Sequence, residues 1–399
     1  MTRAFIPAAL LVLTAKATAQ SPRPAVAYPV TRYSAAIDQA RAFVRDTMQA
    51  LGAPGAQVTV MQGGKVIWSE GFGFADLEQQ VPVTPITRFR VGSVSKSLTS
   101  AALGKLVETG KLDLDQPIQQ YVPSFPAKRW PITTRQLAGH LAGIRHYKSS
   151  AEFELTRHYA TVTEALDIFK DDSLLFEPGT KYSYSSFGWN LVSAVIEGAS
   201  GEPFLRFVER EVFGQADLRH TAPDYVDSII PNRARWYTRG PNKGGIINAP
   251  LADNSYKWAG GGFVSTTDDL VSFGDAMLHG RLLKPETIKL LWTSQQTRDG
   301  KPTKYGMGWG VETDKNGRWR ISHSGGAVGG TAFLVIYPDA LAGRAVYLER
   351  IETLIAEMQK DAGVRLPGAR RDGLGAKAAE AGVEIPAALA DQLQRLADA

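Results

Sequence analysis

A serine and a lysine three residues apart form the first pair in this sequence whose side chains could do chemistry together. Ser93 and Lys96 belong to a Ser-Val-Ser-Lys segment, which follows Gly92 and opens an apolar helical stretch ending at Gly110. Residues i and i+3 of a helix share one face, so the Lys96 amine can reach the Ser93 hydroxyl. A buried lysine with a lowered pKa can take the proton that makes serine a nucleophile. Taken alone, the same residues also fit a serine at a helix start beside a solvated lysine.

Two further motifs carry side chains that acyl transfer uses. Tyr184 begins a Tyr-Ser-Ser triplet ending at Ser186, and a tyrosine near two cations can carry protons because positive neighbours stabilise its phenolate. His323 is predicted to end a strand and is followed by Gly325 and Gly326. Gly326 has no side chain to block a substrate, so its N–H can complete an oxyanion hole. For each motif alone, a packed loop tyrosine and a structural histidine are the alternatives.

The three motifs, in this order and spacing, resemble the serine β-lactamase and penicillin-binding-protein superfamily, whose fingerprints are Ser-x-x-Lys, a Tyr or Ser triplet, and Lys/His-x-Gly. The tyrosine resembles the class C β-lactamase and D-alanyl-D-alanine carboxypeptidase branch. Within that branch, the segments TTRQLAGHLAGIRHY, NRARWY and DNSYKWAGGG are similar to the mitochondrial β-lactamase-like serine proteases of animals and their bacterial relatives. The resemblance covers about residues 35–338.

The resemblance implies an acyl-enzyme mechanism with a role for each catalytic residue. Ser93 would be acylated, and Lys96 would help to remove its proton. Tyr184 would pass the proton to the leaving group and later activate water. The N–H groups of Ser93 and Gly326 would bind the oxyanion.

Substrate binding is implied for Ser186, His323 and Gly325. His323 takes the place of the usual lysine and would meet a substrate carboxylate. Ser186 stands where many relatives have asparagine, so one hydroxyl replaces an amide that both donates and accepts. Because histidine is mostly neutral near pH 7, the site lacks the permanent cation on which β-lactams rely. We therefore expect weak β-lactamase activity.

The elements that position these residues are predicted from hydrophobic periodicity. Apolar residues follow one helical face from 35 to 51, and two short strands joined across Gly63-Gly64 read as a β-hairpin. Further strand patterns lie near Phe263 and at 309–312, 318–323 and 331–337. Strand-rich ends bracket a helical middle. The predicted fold class is α/β, an antiparallel sheet flanked by helices with an inserted mainly helical domain.

The domain boundaries are predicted from the family resemblance and from the pattern of strand-rich segments on both sides of a helical middle. Residues 35–98 and 251–360 are predicted to form a discontinuous α/β domain, and residues 99–250 the helical domain. The active site would lie in the cleft between them. Within the α/β domain, 342–349 is predicted to be the last strand and 350–360 the terminal helix. Residues 361–399 are predicted to be a tail, a linker or a small helix.

The N-terminus is predicted to direct export. Residues 1–19 are predicted to be a signal peptide, because a short apolar run precedes a small-x-small cleavage site at Ala17-Thr18-Ala19. Residues 20–34 would follow as a proline-bearing leader. The apolar run is too short to span a bilayer, so no stable membrane span is expected, and the mature protein would be periplasmic or secreted.

Composition narrows the partners and cofactors. The net charge of +5 is not clustered, so we expect no nucleic-acid partner and instead a small-molecule or peptide substrate. The chain has no cysteine, and its six histidines show neither H-x-H nor H-E-x-x-H spacing, so no metal or other cofactor is expected. His146 alone among the remaining histidines is kept as a candidate cleft residue. Oligomerisation is not readable from the sequence.

The predicted function is a serine hydrolase that acts on peptide or amide substrates through a Ser93 acyl-enzyme, and two alternatives remain open. A carboxylesterase would use the same acyl-enzyme on the same fold, since an ester needs less help at its leaving group. A non-catalytic scaffold or filament-forming protein is the alternative from another class, because the resemblance to the animal mitochondrial proteins allows assembly.

Overall fold

A computed structural model describes residues 33–240 and 244–338. The predicted signal peptide (1–19), nearly all of the leader (20–34), the predicted last strand and terminal helix (342–360) and the tail (361–399) lie outside the described residues. The helices are α1 (Ser34–Leu51), α2 (Ser95–Glu108), α3 (Thr134–Ala138), α4 (Ser150–Phe153), α5 (Ser186–Ser200), α6 (Phe204–Val208), α7 (Trp258–Gly261), α8 (Thr267–Leu278) and α9 (Pro285–Leu291). The strands are β1 (Gly55–Gln62), β2 (Lys65–Asp76), β3 (Val81–Pro82), β4 (Phe89–Arg90), β5 (Ala222–Pro223), β6 (Tyr237–Arg239), β7 (Ile246–Asn248), β8 (Phe263–Ser265), β9 (Gly310–Thr313), β10 (Trp319–Ala327) and β11 (Gly330–Ile336).

The N-terminal helix and hairpin form as predicted. Gly63 and Gly64 both have positive φ, 56° and 71°, which a two-residue turn between twisted antiparallel strands requires. Helix α1 ends at Gly52, whose φ of 60° closes the last turn. Apolar residues of α1 pack on Trp68 and Phe72 of β2 in a cluster of their own. Strands β1 and β2 also pack against α8.

The strand that carries the histidine motif is longer than predicted. β10 pairs antiparallel with β9 on one side and β11 on the other. The predicted end at His323 is wrong, because Ser324–Ala327 continue the pairing with β11. His323, Gly325 and Gly326 therefore all lie within one paired strand, which fixes their spacing against the elements packed on it.

Helices α2 and α5 form the centre of the main core. Almost the whole of α2 is buried, including Leu98, Leu103 and Leu106, and α5 buries Trp189 beside it. Helix α5 begins at Ser186 and α2 begins at Ser95, so the serine–lysine and tyrosine–serine motifs lie at the N-terminal ends of two packed core helices.

The predicted fold class is confirmed as α/β with antiparallel sheets and helices. The described strands form four small sheets, β1-β2-β3, β9-β10-β11, β4-β8-β5 and β6-β7, where one sheet was expected. The predicted helical stretch 99–250 contains β5, β6 and β7 as well as helices. The domain boundaries stay a prediction. Within the described ranges, no helix has both the length and the apolar character needed to cross a bilayer.

Candidate active site

Ser93 lies in a tight 3-10 turn, Gly92–Val94, immediately before α2. Two glycines let β10 pass against this turn. A Cβ on Gly325 would lie 2.0 Å from the Val91 carbonyl oxygen, and one on Gly92 would lie 2.4 Å from the Gly326 carbonyl oxygen. Gly92 also has a φ of 49°, which favours glycine. Backbone contact that excludes side chains therefore holds Ser93 next to Gly326.

Lys96 is fully buried and lies directly beside the serine. Its Nζ lies 2.9 Å from Ser93 Oγ, 2.6 Å from the Gly260 carbonyl oxygen and 3.2 Å from Ser186 Oγ. Burial lowers the pKa of Lys96 well below its usual value, and the nearby Lys257 lowers it further. Once Lys96 loses its proton, its two N–H groups can serve Gly260 and Ser186 and its lone pair can accept from the Ser93 hydroxyl. The predicted contact between Ser93 and Lys96 is therefore present, and the lowered pKa of the lysine favours its base form.

Tyr184 lies on the other side of the nucleophile and differs from expectation in its charge state. Its hydroxyl lies in hydrogen-bonding reach of the Ser93 and Ser186 hydroxyls. The Lys96 Nζ is 4.9 Å from the centre of the tyrosine ring. The expected phenolate is not supported, because burial raises the pKa of Tyr184 and its hydrogen bonds with Ser93 and Ser186 do not offset this. Tyr184 is a phenol that can donate a proton.

The Tyr-Ser-Ser triplet is fixed by its backbone partners. Ser185 caps α5 by accepting from the Gly188 N–H at 2.9 Å, and its hydroxyl donates to the Arg145 carbonyl oxygen at 2.7 Å. The Ser186 N–H donates to Nδ1 of His146 at 3.1 Å. Because Lys96 donates to the Ser186 hydroxyl, Ser186 contacts the base as well as the cavity.

His323 is held as a neutral ring with both nitrogens engaged. Its Nδ1–H donates to the Ser324 carbonyl oxygen at 2.5 Å, so Nε2 carries no proton and accepts from the Tyr305 hydroxyl at 2.8 Å. Burial, and next the proximity of Lys96, lower the pKa of His323 to about 3. A neutral His323 agrees with the expectation that this position lacks the permanent charge of the usual lysine, and its engaged nitrogens leave no free N–H for a substrate carboxylate.

Most of the predicted site residues line one cavity of about 320 Å³. Among the sequence-predicted residues, Ser93, Tyr184, Ser186, His323 and Gly326 line it, as does the candidate His146. Lys96 lies beneath it and is bonded to Ser93. Gly325 does not line the cavity. It is buried against Val91 and gives room to backbone instead of substrate.

Sequence reasoning missed three features around this cavity. Lys257 lines the cavity, but it was assigned no role from the sequence, since it lies inside the DNSYKWAGGG segment that showed only family resemblance. Tyr305, which bonds to His323, carried no motif. A buried pair between Arg90 and Asp224, 2.6 Å apart, also lies outside every motif. These contacts join residues far apart in the chain, so periodicity gives no signal for them.

Arg90 supports the turn that holds the serine. Its guanidinium donates to the Val328 carbonyl oxygen at 3.1 Å and to the Ala252 carbonyl oxygen at 3.2 Å. It therefore ties β4, just before the Ser93 turn, to the loop between β10 and β11. Within the parts of the chain that the structure describes, no three His, Asp or Glu side chains gather as a metal site.

The fold and this constellation define the class of β-lactamase and penicillin-binding-protein folds. The chain belongs to the Beta-lactamase family of serine hydrolases, whose sequence profile matches residues 40–360. It is similar to the mouse mitochondrial serine beta-lactamase-like protein LACTB, with 36% identity over 413 residues, covering 79% of this chain and 75% of that protein.

Two other similarities come from bacteria and archaea. The D-aminopeptidase of Brucella anthropi is 28% identical over 298 residues, covering 72% of this chain and 54% of that enzyme, so the match spans about half of it. The octameric penicillin-binding protein homologue from Pyrococcus abyssi superposes with a TM-score of 0.68 at 21% identity, covering 84% of this chain and 80% of that one. The second similarity supports the fold alone.

Proposed function

We propose that this protein hydrolyses peptide or amide bonds through an acyl-enzyme on Ser93. The observation that carries the proposal is the 2.9 Å separation between Lys96 Nζ and Ser93 Oγ, made by an amine with no exposure to solvent. In its neutral form, which burial favours, its two N–H groups would go to Gly260 and Ser186 and its lone pair would take the serine proton. A base of this kind is what a serine nucleophile requires.

The proposed reaction proceeds in two halves. Ser93 Oγ attacks the carbonyl carbon while Lys96 takes its proton, and the N–H groups of Ser93 and Gly326 bind the oxyanion. Tyr184 then gives its phenolic proton to the leaving amine as the C–N bond breaks, and the proton on Lys96 returns to Tyr184. In the second half a water gives a proton to the same pair and attacks the acyl carbon. The pair then returns that proton to Ser93 Oγ as the ester C–O bond breaks, which releases the acid and free Ser93.

Two observations bear on the substrate. The similarity to a D-aminopeptidase supports a peptide or amide substrate. The neutral state of His323 argues against efficient β-lactam turnover, since the β-lactam carboxylate would find no cation on that strand.

A carboxylesterase is the second candidate, and Ser186 favours it. The Ser186 hydroxyl already accepts from Lys96, and no side-chain amide stands there to hold a substrate amide carbonyl. An ester depends less on such a side chain, because its leaving group departs with less help from protonation and the ester is the more reactive substrate.

A fluorophosphonate probe tests the acyl-enzyme, and a substrate panel then ranks the reactions. We expect labelling of the wild type that disappears in Ser93→Ala. No labelling of folded wild type would contradict the proposal and favour a non-catalytic scaffold. D-alanyl peptides, p-nitrophenyl butyrate and nitrocefin, compared on one preparation with Ser93→Ala as the blank, separate peptidase, esterase and lactamase. We expect nitrocefin to show a kcat/KM far below the diffusional ceiling of about 10⁸ M⁻¹s⁻¹.

We also propose that the chain is exported, which rests on the pattern of residues 1–19 alone. The intact mass of protein recovered from the periplasm is the test. A mature chain beginning near Gln20 is expected, and an uncleaved chain confined to the cytoplasm would contradict export.

A further inference from the structure

Lys257 is a buried basic residue in the wall of the catalytic cavity, and the proposed reaction does not use it. Its side chain is 2% exposed, and it lines the cavity together with Ser93 and Tyr184. Buried lysines are ordinarily paired with a carboxylate. Within residues 33–240 and 244–338, Lys257 has no ion-pair partner, and the hydrogen bond that it makes goes to the Phe153 carbonyl oxygen at 3.1 Å.

The surroundings of the ammonium leave donors free for a ligand. Of its three N–H groups, one is used by Phe153, whose ring centre lies 4.2 Å from Nζ, and the Tyr256 ring centre lies at 4.9 Å. Burial, and then the nearby Arg90, lower the pKa of Lys257 to about 7. The carboxylates of Asp224 and Glu154 raise the pKa, but not enough to offset burial. An anion placed in the cavity would supply the missing partner and favour the charged form.

The other basic groups at the site are either bonded or neutral near pH 7. Both ring nitrogens of His323 are bonded, and Lys96 is bonded to Ser93 and Gly260. Burial lowers the pKa of His146 to about 4, and its Nδ1 accepts from the Ser186 N–H. Among the described residues that line the cavity, Lys257 is the only lysine or arginine. Its neighbours Tyr147 and Phe153 pack with ring centres 5.5 Å apart and make an apolar wall, where a single charge pair counts for more than in water.

We propose that Lys257 binds a carboxylate on the acyl side of the substrate, an inference that rests on the proposed acyl-enzyme function. In the proposed reaction Tyr184 protonates the leaving group, and its ring contacts both His323 on β10, with ring centres 6.4 Å apart, and His146, at 5.6 Å. We assign the leaving group to the β10 side of Tyr184 and the acyl part to the wall of Tyr147, Phe153 and Lys257. A third ester, described below, tests this assignment.

A matched pair of esters tests the subsite. Mono-p-nitrophenyl succinate and p-nitrophenyl butyrate have the same leaving group and acyl groups of four carbons, but only the succinate carries an acyl carboxylate. We expect the wild-type kcat/KM for the succinate to exceed that for the butyrate by about tenfold, which is the effect of one charge-assisted hydrogen bond. Lys257→Met should bring the ratio of the two kcat/KM values near one, and Lys257→Arg should retain the preference.

Lys148→Met is the matched control, since it removes one positive charge outside the cavity from a side chain that is 60% exposed and paired with Asp172. It should keep the wild-type ratio. An unchanged ratio in folded Lys257→Met, checked by circular dichroism, would overturn the subsite, and Lys257→Gln gives the same comparison if the methionine variant does not fold.

The probe and a third ester separate the ways in which the proposal can fail. Wild type that is labelled by fluorophosphonate but shows no preference for the succinate would overturn the subsite and leave the acyl-enzyme intact. Absence of labelling would overturn the acyl-enzyme itself. A Lys257-dependent preference for 4-butyryloxybenzoate, whose carboxylate is on the leaving group, would overturn the acyl-side assignment.

Discussion

The Tyr305 hydroxyl donates to Nε2 of His323 at 2.8 Å, and both side chains are buried. This bond fixes the tautomer of His323, whose other nitrogen already donates to the Ser324 carbonyl oxygen. The histidine that takes the place of the family's lysine is therefore a neutral, oriented ring in the wall of the cavity.

Tyr305→Phe should destabilise the protein, because it leaves the buried Nε2 of His323 without its partner. We expect the free energy of unfolding to fall by about 1–3 kcal/mol, measured by urea denaturation followed by circular dichroism. Tyr182→Phe is the control in the same aromatic cluster, since Tyr182 is 40% exposed and its ring lies 6.2 Å from that of Tyr305. Equal losses in the two variants would show that the bond to His323 has no special value.

Lys96 should link stability to pH. Its pKa is lowered in the folded state, so the unfolded chain binds more protons from the folded pKa up to the ordinary value near 10.5. Stability therefore rises with pH through that window. Lys96→Met lacks this contribution. The free energy of unfolding of the wild type minus that of Lys96→Met should therefore increase from pH 7 to pH 9. A constant difference across that range would mean that Lys96 keeps an ordinary pKa.

Tyr184→Phe should keep the fold but lose turnover by about 10²–10⁴-fold, the usual contribution of a positioned proton carrier. The phenylalanine retains the tilted ring contact with His140, whose ring centre lies 4.3 Å from that of Tyr184, so the melting temperature should change little. Initial rates on the best substrate of the panel are the measurement. Near-normal rates would remove Tyr184 from the proposed proton path.

Local patterns predicted the elements of the fold better than its sheets. The turn at Gly63-Gly64 and the helix over 35–51, which Gly52 caps, each depend on a few neighbouring residues. The extension of β10 beyond His323 was missed because Ser-Gly-Gly-Ala has no apolar alternation. β4 and β5 are two residues long and are held mainly by β8, so no periodic signal exists for them.

For the site, the order of motifs predicted which side chains would meet but not their charge states. Ser93, Tyr184, Ser186, His323 and Gly326 share one cavity. Whether Tyr184 is a phenol or a phenolate depends on burial, which comes from helices and strands far away in the chain. The same holds for Lys257, whose importance lies in having a buried amine without an acidic partner among the described residues.

Gly325→Ala should disrupt the nucleophile even though Gly325 does not line the cavity. A Cβ there would lie 2.0 Å from the Val91 carbonyl oxygen and 2.8 Å from the Ser93 nitrogen, so backbone must move. Forcing an extra carbon into a packed site costs about 1–3 kcal/mol, and here the displaced group is the oxyanion donor. Fluorophosphonate labelling should slow by tenfold or more, following about 10²-fold losses when oxyanion donors are removed.

Gly188→Ala is the matched control for that variant. Gly188 lies in the first turn of α5, and an added Cβ would find its nearest neighbour, the Ser185 side chain, at 3.6 Å. Alanine also favours a helix over glycine by about 1 kcal/mol, so this variant should fold as well as wild type and label at the same rate. If Gly325→Ala labels as fast as Gly188→Ala, the close passage of β10 over the Ser93 turn does not set the reactivity of Ser93.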